Sequence, residues 1–117
     1  MALGAGSLKA KIVIQRASAT PNEFNEQVET WADLYTCRAR REDSSSGEKE
    51  AAGQVGAFLM ARFAIRRSIE ADQIRFTDRL VHEDGIWSIK EIKRLKEAPD
   101  MFLEITAIRD ADLGDEG

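Results

Sequence analysis

The sequence predicts an all-β protein: a small antiparallel β-barrel or sandwich with a long inserted loop. Three observations carry that expectation. Short segments alternate apolar and polar residues with a period of two, clusters of turn-forming residues separate them, and no long amphipathic helical stripe interrupts the series. At 117 residues the chain forms a single domain, expected to bury roughly two-thirds of the surface its unfolded form exposes.

Residues 1–9 are small, glycine-containing and aperiodic, so a flexible N-terminal arm is expected there. The first strand covers residues 11–17, with Ile12-Val13-Ile14-Gln15-Arg16 running to a basic end. A polar turn through Pro21-Asn22-Glu23-Phe24-Asn25 follows, and the chain resumes at Glu29-Thr30-Trp31, which together describe a long hairpin. From Thr30 to about Arg41, Tyr35, Cys37 and Ala39 share one face and Thr36, Arg38 and Arg40 the other, as in a half-buried strand. Residues 42–56 then lose all periodicity. Glu42-Asp43-Ser44-Ser45-Ser46-Gly47 is a breaker cluster, and Glu48-Lys49-Glu50 begins a stretch of helix formers interrupted by Gly53 and Gly56. A connection of that length inside a small domain calls for a functional reason.

Strand character returns at Phe58 and lasts to Arg66, with Leu59, Ala61, Phe63 and Ile65 on one face and a second face that turns basic toward Arg66. A connection through Glu70-Ala71-Asp72 leads to Ile74-Arg75-Phe76. Leu80-Val81-His82 and Ile86–Ile92 form a hairpin around Glu83-Asp84-Gly85, the Asp-Gly pair being its signal. A charged link containing Pro99 precedes a last strand from Met101 to Ile108. The expected core comprises Leu59, Phe63, Ile65, Ile89, Leu103 and Ile105.

Composition narrows the function. A net charge of -4 argues against a protein whose main task is to grip phosphates. The single cysteine, Cys37, leaves no internal disulfide and fits a reducing cytoplasm, and neither an export signal nor a membrane-length apolar run is expected. No catalytic residue, cofactor site or metal site is assigned. His82 lacks a nucleophile or second histidine at useful spacing and reads as a surface or half-buried strand residue. Asp72, Asp78, Glu83, Asp84 and Glu91 flank turns, where carboxylates serve solvation and turn bonds. Cys37 reads as a buried free thiol, and Trp31 and Trp87 as core. The glycines do not form a phosphate-binding loop, lacking the strand-to-helix context and its lysine. Arg38, Arg40, Arg41 and Arg66 are candidate interface residues. DNA phosphates, a neighbour's carboxylates or water could meet the first three, and the neighbour ranks first because the guanidinium fork recognises carboxylates.

The order and spacing of Ile12-Val13-Ile14-Gln15-Arg16, Glu29-Thr30-Trp31 with Leu34, Ala39, Arg62-Phe63-Ala64-Ile65-Arg66 and Asp84-Gly85-Ile86-Trp87-Ser88-Ile89 resemble the phage head-tail joining family. This group is also called head-tail adaptor, head completion or stopper, and gene transfer agents use counterparts of it. The resemblance extends from about Leu8 to Ile108. It implies a β-barrel-like structural protein that joins a homo-oligomeric ring in the particle; the lack of a nucleophile-base pair, metal cluster or cofactor fingerprint makes an enzyme the weakest reading, and a thin core, charged rim and flexible arm suggest a subunit that is monomeric alone. Its neighbours would be a portal or adaptor ring above and a tail terminator or tail-tube protein below, with double-stranded DNA passing through the lumen and no membrane involved. Assembly would take place in the bacterial host cytoplasm. Residues Glu42, Asp43, Ser44, Ser45, Ser46, Gly47, Glu48, Lys49 and Glu50 occupy the position of a loop that projects toward that channel and helps to retain packaged DNA. The alternative is a small barrel that binds nucleic acid, which would pair sheet aromatics with a basic groove; the exposed arginine faces here carry no interleaved aromatics.

Overall fold

The computed structural model describes residues 8–43, 47–48, 57–83 and 85–110. Seven strands form one antiparallel sheet: β1 (Ala10–Pro21), β2 (Gln27–Asp43), β3 (Gly47–Glu48), β4 (Ala57–Arg66), β5 (Arg79–His82), β6 (Gly85–Arg94) and β7 (Phe102–Asp110). Their order is β2-β1-β5-β6-β7-β4-β3, and a further β2–β4 ladder, Ala39↔Ile65 to Asp43↔Ala61, closes the sheet on itself. Closure removes the open edges on which sheets aggregate. β3 then takes over the β4 edge where β2 leaves it, pairing Gly47 with Phe58.

The alternation that marked the strands is what fills the barrel. Ile12, Ile14, Ala39, Ala61, Phe63, Ile65, Leu80, Trp87, Ile89, Leu103, Ile105 and Ala107 point inward as one buried cluster, with Tyr35, Cys37, Leu59 and Ile92 half-buried around it. Five of the six expected core residues are buried, and Leu59 is half-buried. Two bulges bend the wall: Leu34 is extra between the pairs Ile14↔Tyr35 and Gln15↔Asp33, and Lys90 is extra between Ile89↔Ala107 and Glu91↔Thr106. The second bulge shifts the inward phase by one residue, so the core series on β6 runs Trp87, Ile89, Ile92. A smaller cluster of Ala64, Leu95 and Phe102 lies outside the barrel wall, covered by Leu8 and Ala98. Residues 1–7 of the expected arm are outside the described residues.

The structure corrects several expectations. Glu42 and Asp43 belong to strand β2, where Glu42 faces Arg62 across the ladder, so they are not part of the inserted loop; Gly47 and Glu48 are likewise in a strand. Of the proposed loop residues, Ser44, Ser45, Ser46, Lys49 and Glu50 lie outside the described residues. The connection before β5 contains a 3-10 turn, Ala71–Gln73. Gly85 is the first residue of β6, paired with His82, so it lies in the ladder and not in the turn. Glu83 accordingly takes a left-handed conformation, φ 54°.

Candidate functional site

Two ends of the barrel can be distinguished from the registers. At one end lie the start of β1, the ends of β2 and β7 and the His82–Gly85 turn; at the other the β1–β2 hairpin leaves the barrel. The connection from Asp43 to Ala57 therefore springs from the first end.

Inside that end, Phe63 meets His82 edge-on (centroids 6.0 Å) and Trp87 edge-on (5.5 Å). The guanidinium of Arg41 lies 4.9 Å from the Trp87 ring and that of Arg109 5.3 Å, placing two cations on one indole. Arg41 also donates from Nε to Asp43 Oδ1 (2.7 Å) and sits 3.3 Å from His82 Nδ1. Gly85 leaves room here for the Arg109 guanidinium, which a Cβ at that position would displace. Trp87 Nε1 and Arg109 Nε are buried without a hydrogen-bond partner among the described residues. His82 is thus a buried residue of the barrel end, not a surface one.

The four candidate arginines do not all share one face. Arg41 has the phase of Ala39 and turns toward the barrel interior, whereas Arg38 and Arg40 take the outer face. Arg66 joins that outer face from β4, since Arg40 lies opposite Ala64 and position 38 continues the ladder toward 66. There Arg66 lies over Phe102 (5.3 Å), Arg40 comes within 3.9 Å of Glu42 Oε1, and Arg38 donates to the Lys9 carbonyl (3.2 Å). Beside Arg38 a shallow depression of about 500 Å³ is lined by Lys9, Ala10, Lys11, Arg38, His82 and Glu83.

The hairpin root is clamped on both faces of β1. On one, Arg16 donates from Nε and one Nη to the two oxygens of Asp78 (2.9 and 3.0 Å) and also to the Gln73 carbonyl (2.8 Å). Asp78 is buried and further accepts the Arg75 backbone N–H (2.9 Å). It is therefore a structural anchor and not a solvated turn residue. Burial alone would raise its carboxyl; the bonds from Arg16 and the Arg75 backbone, with those two charges, outweigh burial and hold it below the ordinary range. On the other face, Arg79 donates to Gln15 Oε1 (2.7 Å), Gln15 donates to Asp33 Oδ1 (2.9 Å), and Arg79 covers Trp31 at 4.2 Å. Trp31 is accordingly half-buried on the outer wall, while Trp87 is core as expected. Pairs such as Arg16 and Asp78, 62 residues apart, carry no local signature by which a sequence could reveal them.

Beyond this clamp the hairpin projects, and every residue from Ser18 to Thr30 is exposed. Its tip is nonetheless ordered by Asn22, whose Oδ1 accepts the backbone N–H groups of Phe24 and Glu26 (2.9 Å each). Asn25 supplies the left-handed residue, φ 61°. Phe24 stands 74% exposed on this turn.

Two solved structures share the architecture. A chain from the virion of a native gene transfer agent particle has a TM-score of 0.69, 15% identity, and coverage of 89% of this chain and 96% of that one. A protein of Shigella flexneri 2a, known from its solution structure, has a TM-score of 0.58 and 21% identity, covering 93% and 97%. At such identities the likeness establishes the fold. No curated protein matches the chain. The family of phage head completion proteins, however, matches residues 3–110. That span takes in the whole barrel and its hairpin, so this chain belongs to the phage head completion protein family, a family of structural proteins.

Proposed function

We propose that the chain is a ring subunit of the head-tail connector of a tailed phage or phage-like gene transfer particle. In this reading it sits between a portal or adaptor ring and a tail terminator or tail-tube protein, and it assembles from monomers in the bacterial host cytoplasm. Family membership over residues 3–110 is the observation that carries the reading, and the fold shared with a chain of a gene transfer agent virion agrees with it. The segment between Asp43 and Ala57 is the part assigned to the channel, where a ring of such segments would narrow the lumen and oppose the escape of double-stranded DNA. Its roots support this role, because β2 and β4 are laddered to each other from Asp43↔Ala61 inward and give the segment a stiff base at one barrel end.

Deleting Ser44 to Gly53 tests the assignment. Melting temperature should fall little, since the deletion takes from the sheet only the two-residue edge strand β3 and leaves the β2–β4 ladder and the core, while the fraction of particles that retain DNA should fall. Loss of folding would make the segment part of the core. Full retention of DNA would assign closure to another protein.

A further inference from the structure

Resting on the ring reading above, we propose that the hairpin tip of one copy seats in the basic depression of the next copy. Three properties of the chain lead there. First, the tip is a preformed anchor: the Asn22 bonds fix the turn, so Phe24 is displayed without a loop having to be ordered on binding. Second, the hairpin is acidic along its whole length. Between Arg16 and Arg38 there is no lysine or arginine, and Glu23, Glu26, Glu29 and Asp33 contribute four carboxylates. Third, the depression offers the complementary chemistry, with the cations of Lys9, Lys11 and Arg38 around Ala10. Lysine and arginine stems provide apolar walls for a phenyl ring, and their heads can meet carboxylates. Glu83 also lines the depression, 3.7 Å from His82 Nε2, and leaves three cations against one carboxylate.

The geometry makes the contact intermolecular. Strand β1 runs 12 residues from Ala10, at the depression, to Pro21, at the tip, a separation of roughly 35–40 Å at the rise of an extended strand. Tip and depression therefore sit at opposite ends of one ladder, and a copy cannot fill its own depression. Joining unlike patches on successive copies is a head-to-tail contact, which closes into a ring when the rotation between copies allows it.

The test places the photo-crosslinking residue p-benzoylphenylalanine at position 24 in full-length chain, assembled into particles from a mixture of unlabelled and ¹⁵N-labelled protein. Crosslinks should join the tip to residues 8–11 or 38–41, and the peptide pairs should carry mixed labels. Crosslinks to another particle protein, to DNA, or to nothing would overturn the proposal. Counting copies per particle separates the two readings: a single copy defeats the ring itself, whereas several copies with crosslinks elsewhere defeat only the tip contact. A charge swap gives an independent result. Glu23→Lys with Glu26→Lys, and separately Lys9→Glu with Lys11→Glu, should each reduce copies per particle by roughly tenfold, and combining all four in one chain should restore them to within about twofold. Absence of that rescue would also overturn the contact, and loss of DNA binding at physiological salt in the lysine variant alone would reassign the depression to nucleic acid.

Discussion

Asp78 shows how a single residue fixes a large feature of this molecule. Its carboxylate is buried, yet it is met by the Arg16 fork and a backbone N–H, so the charge that burial would penalise is compensated on every side. A carboxyl held below its unfolded value of about 3.9 adds stability above that pH and loses it as the pH falls through the folded value. Asp78→Asn should lower the melting temperature at pH 7 by roughly 5–10 °C, and its stability should change less between pH 5 and pH 2 than that of the native protein. Thermal melts across that range would settle the point, a parallel loss of stability in both proteins being the adverse result. Phe63 exemplifies the other kind of residue, one whose role was legible in the sequence. It stands at the centre of an alternating apolar face and is fully buried against Trp87 and His82. Phe63→Ala should cost about 3–5 kcal/mol in denaturant unfolding through lost transfer energy and the cavity left behind. Cys37 was legible only in part: the strand phase placed it on the apolar face, but only the structure shows a half-buried thiol that burial pushes up to about 11.

Among the elements, those that bury one face were readable, and those that do not were misjudged in extent. Strands β4 and β7 announce themselves because every second residue enters the core. The outer half of the β1–β2 hairpin has no core to face, so its alternation fades and the sequence shortens it to residues 11–17 and a start at Thr30. Glu42 and Asp43 look like loop residues for the same reason. Their place in β2 depends on β4 lying alongside, which is a tertiary fact. The β5–β6 turn gives a sharper lesson, since Asp-Gly is present but its glycine lies in the ladder and not in the turn. Glu83 bears the left-handed conformation instead, its exposed carboxylate 3.7 Å from the buried His82 Nε2. Glu83→Gly should therefore raise stability by about 0.5–1 kcal/mol, while Glu83→Ala should not. Equal behaviour of the two variants in urea titrations would mean that the turn relaxes out of that conformation.

At the scale of the whole molecule, closure of the barrel is the property that the sequence left open between barrel and sandwich, because nothing local marks β2 as the partner of β4. Closure has a consequence for assembly. With its core sealed inside and β2 joined to β4, the barrel presents, among the described residues, its charged outer face and the projecting hairpin, and the large apolar side chains exposed there number seven, Phe24, Val28 and Leu34 on the hairpin among them. Contacts through the charged face are weak singly and are screened by salt, and a ring built from them gains strength when a template holds several copies in place. The purified chain should accordingly be monomeric by light scattering at about 10 μM and 0.15 M salt, with self-association emerging only at high protein concentration and about 0.02 M salt, where the Debye length exceeds 20 Å. Glu23→Lys with Glu26→Lys should abolish that low-salt association if the acidic hairpin drives it. A dimer that persists on dilution at physiological salt would instead point to an apolar interface, and the barrel would then enter the particle as a preformed oligomer without needing a ring beneath it as a template.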